Sequence, residues 1–353
     1  MSPEIKIGKR RIGQEYETYI IAEMSANHNQ SFDYAVNIVR AAAESGADAI
    51  KFQTYTADTI TLECDSDLFK IKGTLWEGTN LHRLYHEAHT PWDWQPKLKR
   101  IAEELGLDCF STPFDPTAVD FLEAMDVPAY KIASFELVDI PLIEKIARTK
   151  KPTIISTGMG SLGEIDEAVR AFRAAGGDNL ALLKCTSAYP SPPEEMNLRT
   201  IQHMSEAFSV PVGLSDHTTG TVVPTAAVAL GASLIEKHLT LSRSAGGPDS
   251  AFSLEPGEFK EMVRSVRAAK RAIGRVTYEP TPAEKDSRIF RRSLFVIRDI
   301  PAGAPFSAEN IRSIRPAHGL PPKLFAEILG YSALRDLKKG EPLTRDLIGP
   351  RAL

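Results

Sequence analysis

Short apolar runs in this chain end in residues that could do chemistry. His217 closes the run Val212-Gly-Leu-Ser-Asp-His217, and His238 stands near the end of Ser233-Leu-Ile-Glu-Lys-His-Leu239. Glu23 stands near the end of the first run, Tyr19-Ile-Ile-Ala-Glu-Met24. If these runs are adjacent strands, about 4.8 Å apart, two imidazoles there can clasp one divalent ion. Glu23 would then supply a carboxylate or hold a metal-bound water. Two His plus one carboxylate with open positions is the habit of a Lewis-acid site. Taken alone, either His reads more simply as a general acid or a hydrogen-bonded core residue.

Lys51, Lys131, Ser134, Ser156 and Ser215 occupy similar ends of other runs. They supply fixed positive charge and donors for a phosphate or carboxylate, and the small Gly158 lets backbone amides join in. The competing chemistry is a Schiff-base aldolase, with Lys131 or Lys184 attacking a carbonyl. That reaction wants one isolated, desolvated lysine, whereas several lysines among hydroxyls suit an anion. His28, in Ser25-Ala-Asn-His-Asn-Gln30, follows the first run. An Asn-rich turn is the plain reading of that segment, and contact with a polar substrate the functional one.

Such residues need a scaffold that gathers strand ends on one face. Besides the three runs above, Ala49–Tyr55, Asp108–Phe114, Ala129–Ser134, Thr153–Gly158 and Leu180–Thr186 read as strands, each with a plausible helix behind it. The clearest helices are Phe32–Glu44 and Pro256–Ile273. Eight parallel βα units close a (β/α)₈ barrel, whose active sites lie at the C-terminal strand ends. The insertion at 56–90, with Trp76 and a His-rich aromatic run, would rim that mouth; a solvated decoration is the alternative. We therefore expect a barrel domain at 1–278, a linker at 279–288 and a small β-rich module at 289–353. From Asp286 onward there are 12 Lys/Arg against 7 Asp/Glu, about +5, leaving about −9 on the barrel. A basic module on an acidic body suggests that the module meets an anion, with Arg315 and His318 in an exposed turn.

Composition narrows the function classes. The 353 residues are 42% hydrophobic and 25% charged, with a net charge of −4, so neither disorder nor a general affinity for nucleic acid is indicated. No apolar run reaches the roughly 18–20 residues of a membrane span, and the charged N-terminus does not resemble a signal peptide. Cys64, Cys109 and Cys185 are odd in number and unpaired in any CxxC, which argues against zinc-ribbon or disulfide frameworks. A cytoplasmic, reduced enzyme is the expectation.

Several motifs, in order, resemble the sialic acid synthase family over essentially the whole chain. They include Ile-Ala-Glu-Met-Ser-Ala-Asn-His-Asn, Gly-Ala-Asp-Ala-Ile-Lys-Phe-Gln-Thr, Phe-Ser-Thr-Pro-Phe and Tyr-Lys-Ile-Ala-Ser. Ile-Ser-Thr-Gly-Met, Gly-Leu-Ser-Asp-His-Thr, Ile-Glu-Lys-His and Arg315-Pro-Ala-His-Gly319 continue the series. The resemblance implies a TIM barrel followed by an antifreeze-like (SAF) domain. It also implies condensation of phosphoenolpyruvate with an open-chain, six-carbon acetamido sugar. Within the family, Ile71-Lys-Gly-Thr-Leu-Trp76, Leu84-Tyr-His-Glu-Ala-His-Thr-Pro-Trp92 and Phe252-Ser-Leu look most like the branch making pseudaminic acid, whose sugar is 2,4-diacetamido-2,4,6-trideoxy-L-altrose. Gly246-Gly-Pro-Asp249 is closer to the N-acetylneuraminate and legionaminate branch.

By the family pattern His217 and His238 would bind Mn²⁺, or Mg²⁺ or Co²⁺ in its place, with Glu23 positioning the catalytic water or the metal shell. Lys51, Thr112, Lys131, Ser134, Ser156 and Ser215 would hold phosphoenolpyruvate. Arg315 would reach the sugar's N-acetyl group from the partner subunit of a domain-swapped homodimer, and Glu236 and His28 are further expected sugar contacts.

Overall fold

Eight apolar strands, backed by amphipathic helices, close into a parallel barrel in a computed structural model that describes residues 3–351. An N-terminal hairpin comes first (β1, Glu4–Ile7; β2, Arg10–Gly13). The barrel strands are β3 (Tyr19–Glu23), β4 (Ala49–Thr54), β5 (Asp108–Pro113), β6 (Tyr130–Ile132), β7 (Thr153–Ser156), β8 (Leu180–Cys185), β9 (Val212–Asp216) and β10 (Leu234–His238). A parallel strand buried on both faces tends to be apolar, and most of these are, with polar residues gathered toward their C-terminal ends. Closure comes from β10 pairing with β3 in the register Leu234↔Tyr19 to His238↔Glu23. That register puts the last strand's histidine beside the first strand's glutamate.

The helices explain why the chain returns to the same end after every strand. Phe32–Glu44 begins where the Ser31 side chain accepts the Tyr34 N–H, and it buries Ala35, Val36, Ile38 and Val39. Pro256–Ile273 has proline in its first turn and buries Phe259, Met262, Val263 and Val266 at helical spacing. No helix among the described residues is long and apolar enough to cross a membrane.

Two features depart from the sequence reading. The N-terminal segment, read only as charged, forms a hairpin in which Ile5 pairs with Ile12. Ile5, Ile7 and Ile12 are buried, each contributing on the order of 1.5–3 kcal/mol. The abundance of charge masked their period-two alternation. The second departure is that only alternate strand-end residues can face the barrel interior. Ser111 Oγ pairs with Thr54 Oγ1 at 2.7 Å, Thr157 Oγ1 donates to the Leu183 carbonyl, and Lys237 pairs with Asp216.

The insertion after β4 is ordered rather than a loose decoration. Thr56 caps a helix at Ala57–Ile60, and Asn80 caps another at Leu81–Ala88. Its middle is tied across the barrel mouth, since Trp76 Nε1 donates to the Pro248 carbonyl at 2.8 Å.

The chain parts into two compact units between Gly274 and Arg275. The segment expected as a linker carries a short helix, Pro282–Lys285, capped by Thr281, then a 3₁₀ turn at Asp286–Phe290. In the second unit β11 (Ser293–Val296) pairs antiparallel with β12 (Ile311–Ile314), and β13 (Tyr331–Ala333) with β14 (Ile348–Arg351). Leu294, Val296, Ile300, Phe306, Ile311 and Leu343 form its own small core.

Candidate active site

The inward residues of β3, β4, β6 and β10 form a charged cradle. Glu23 and Lys51, register partners on β3 and β4, make a close buried ion pair. Glu236 Oε1 lies 3.8 Å from both Lys51 Nζ and Lys131 Nζ, and accepts a hydrogen bond from Ser215 Oγ at 3.1 Å. Lys51 donates to Thr112 Oγ1 at 3.1 Å, and Lys131 to Ser156 Oγ at 2.7 Å. Ser134 Oγ accepts the Gly158 N–H at 3.1 Å, and a Cβ at Gly158 would collide with that hydroxyl. The structure therefore brings Lys51, Thr112, Lys131, Ser156 and Ser215 into one connected network.

Burial dominates the electrostatics of this network. It lifts the Glu23 carboxyl to about 7, against the pull of Lys51. It also lowers Lys131, with Glu236 opposing. For Glu236 burial acts upward, but Lys131 and Lys51 outweigh it and hold the carboxylate down. Glu236 Oε2 is buried without a hydrogen-bond partner. A buried polar atom left unpaired is costly, which points to a ligand on that side.

His217 and His238 lie side by side, their ring centroids 5.3 Å apart. His217 Nδ1 is hydrogen-bonded to the Thr186 carbonyl at 3.1 Å, which in the neutral ring leaves Nε2 as the acceptor. His238 Nδ1 is buried without a partner, and burial, then His217, keeps this imidazole well below its ordinary value. A neutral, unpaired imidazole beside another of fixed tautomer is a donor set that fits a divalent ion. Imidazole suits transition ions better than Mg²⁺. Glu23, the carboxylate expected beside them, has partners of its own. Lys51 takes its charge and the Ser25 N–H donates to Oε1 at 2.6 Å. Among the described residues no group of three or more His, Cys, Asp or Glu side chains gathers as a full ligand set.

A cavity of about 360 Å³ opens beside His238. Ser25, Gln53, Tyr189, Asp249, Phe252 and Glu136 are among the residues that line it. Sequence reasoning missed Tyr189 and Glu136 as site residues. Tyr189 packs at a tilt against the His217 ring, 4.5 Å centroid to centroid. Glu136 has one buried, unpartnered oxygen, and burial raises its carboxyl to about 7. Asp249, quoted only as a branch marker, accepts a hydrogen bond from Ser25 Oγ. The available signal was position, since Glu136 and Tyr189 each lie four residues after a barrel strand.

Two further expected sugar contacts are His28 and Arg315. His28 is fully buried, its Nδ1 accepting the Gln30 N–H and its ring edge-on to Trp94; its loop neighbours Ser25 and Ala26 line the cavity instead. Arg315 belongs to the second unit, exposed in the turn after β12. That turn is pinned by Ser293, whose Oγ donates to the Pro316 carbonyl and accepts the Gly319 N–H. A side chain at Gly319 would strike the Leu294 carbonyl, so the turn requires glycine.

The barrel, the lysine cradle and the paired histidines define a class. The NeuB family model matches residues 38–278 and a SAF domain matches residues 291–348. The chain belongs to the NeuB family. It is 46% identical to the pseudaminic acid synthase of Helicobacter pylori, over 93% of this chain and 96% of that protein. It is 37% identical to the N,N'-diacetyllegionaminic acid synthase of Legionella pneumophila, over 94% of each. Among solved structures, the N-acetylneuraminic acid synthetase of Leptospira borgpetersenii, in complex with citrate, matches at TM-score 0.72 and 32% identity. The match covers 81% of this chain and 95% of that one.

Proposed function

We propose that this enzyme condenses phosphoenolpyruvate with the open-chain aldehyde of 2,4-diacetamido-2,4,6-trideoxy-L-altrose, giving pseudaminic acid and phosphate. The observation that carries the chemistry is the pair of buried lysines, Lys51 and Lys131, flanking Glu236 beside two buried imidazoles. The choice of sugar rests on the likeness to the Helicobacter pylori enzyme.

A divalent ion, Mn²⁺ or Co²⁺ ahead of Mg²⁺, held by His217 and His238, supplies Lewis acidity toward the sugar aldehyde. Lys51 and Lys131, with Thr112, Ser134, Ser156 and Ser215, hold the phosphate and carboxylate of phosphoenolpyruvate. C3 of phosphoenolpyruvate attacks the aldehyde carbon; the C=O π pair moves onto the aldehyde oxygen, which takes up a proton from solvent, and positive charge develops at C2. Glu236 and Glu23 offset that charge. Water then adds at C2, its proton passing to Glu23, which is poised near neutral pH. Phosphate leaves with cleavage of the C–O bond. Phosphoenolpyruvate carrying ¹⁸O in its bridging position tests this sequence: the label should leave with phosphate, and label retained in the nonulosonic acid would contradict it.

Arg315 supports a second part of the proposal. An exposed arginine in the basic unit suits the sugar's N-acetyl group when supplied by the partner of a domain-swapped homodimer. The three cysteines of the chain are free thiols, in keeping with a reduced cytoplasmic setting. The legionaminate relative keeps a neighbouring specificity in view, because Asp249 of Gly246-Gly-Pro-Asp249 lines the cavity.

A further inference from the structure

The residues lining the cavity beside His238 are of two kinds. Ser25, Gln53, Thr74, Glu136 and Asp249 are polar. Most of the others are apolar, and Ile60, Ile71, Trp76, Leu84 and Tyr85 among them come from the insertion after β4. Phe135, on the turn after β6, adds a ring that is 61% exposed. An exposed aromatic on a cavity wall is a surface waiting for an apolar group.

This wall is held in place by specific contacts. Trp76 is tied by its indole N–H to Pro248 and lies 5.8 Å from the Tyr189 ring, centroid to centroid. Tyr55 packs edge-on against Tyr85 at 5.6 Å and Phe114 at 5.1 Å. Gln30 Nε2 fixes the end of the insertion by donating to the Glu87 and His89 carbonyls at 2.9 and 2.7 Å. A wall anchored on both sides keeps its shape.

Resting on the reaction proposed above, we infer that this wall determines sugar choice by receiving the methyl-bearing edge, C6 of the 6-deoxy sugar and an acetamido methyl. A hydroxyl at C6 would lose water there and find no partner on Ile71 or Leu84. Discrimination of this kind is limited: an apolar pocket rejects an added hydroxyl by about 100-fold at most. Ile60, Ile71, Leu84 and Phe135 act as specificity determinants, separate from the lysine cradle.

The test compares kcat/KM for the trideoxy sugar with that for its 6-hydroxy counterpart, following phosphate release. The parent enzyme should favour the 6-deoxy sugar by roughly 10–100-fold. Leu84→Gln, which suits a helix, and Ile71→Thr, which keeps β-branching, should each narrow that ratio by about fivefold or more while leaving KM for phosphoenolpyruvate in place. An unchanged ratio in both variants, with KM for phosphoenolpyruvate retained, overturns the inference and leaves the proposed reaction standing. A parent enzyme that turns over N-acetylmannosamine but not the trideoxy sugar overturns the reaction and the inference with it. That outcome is read before any variant is made.

Discussion

Lys237 Nζ lies 2.6 Å from Asp216 Oδ2, and both side chains are wholly shielded from solvent. The pair joins β9 to β10 immediately beside His217 and His238, where Asp216 and Lys237 are also register partners. Lys237 additionally makes a close contact with the Thr218 carbonyl. Lysine in such a place keeps its charge only because the carboxylate faces it. Removing one partner leaves the other buried and unpaired, at a cost of about 3–5 kcal/mol. Lys237→Met should therefore lower stability by about that amount in urea denaturation. Adding Asp216→Leu to that variant should restore most of it, and no recovery would show that the pair does not act as a unit.

Lys131 holds the anion in this account. Its Nζ donates to Ser156 Oγ and to the Ile132 carbonyl, with Glu236 3.8 Å away. A charged hydrogen bond is worth about 1.5–3 kcal/mol, or roughly 10–100-fold in affinity. Lys131→Met should raise KM for phosphoenolpyruvate by that factor and leave KM for the sugar little changed. Borohydride treatment with either substrate should leave Lys131 unmodified; a reduced adduct there would establish Schiff-base chemistry instead.

The imidazole pair gives a prediction that needs no turnover. Mn²⁺ binding, followed by calorimetry, should weaken in His238→Ala by at least the roughly 10–100-fold that loss of a supporting partner costs a metal site. A chelator should halt phosphate release, and Mn²⁺ or Co²⁺ should restore it more fully than Mg²⁺.

His28 makes stability depend on pH. Burial, then His89, lowers its value from 6.5 to about 4. The neutral ring is favoured in the folded chain, so its full contribution is present above pH 6.5. It is lost as pH falls toward 4, because the unfolded chain takes up a proton first. The loss is on the order of 3 kcal/mol at 1.36 kcal/mol per unit. His28→Gln should flatten the stability profile between pH 6.5 and 4 relative to the parent; an unchanged slope would place the titration elsewhere.

Much of the site was legible because the barrel gathers strand ends, and strand ends can be found by pattern. Each of the eight expected runs matches a barrel strand to within about two residues, and Pro256–Ile273 matches its helix. Lys51, Lys131, Ser156, Ser215 and Glu236 fall into one network for that reason. Pairings across strands were not legible, because they depend on register and on which face each residue takes. Glu23 looks like a metal ligand in isolation, yet its register partner is Lys51. Lys237 and Ser111 sit at strand ends and turn away from the cradle. Tyr189 and Glu136 lie in loops, whose course no periodicity reports.

The most direct test of the central claim is phosphate release from phosphoenolpyruvate by metal-free protein, with and without Mn²⁺, across three sugars. We predict metal-dependent release with 2,4-diacetamido-2,4,6-trideoxy-L-altrose and little with N-acetylmannosamine or its 4-acetamido-6-deoxy relative. Release with one of the latter sugars and not the first would contradict the assignment of substrate. No release with any sugar in the presence of metal would contradict the proposed reaction itself.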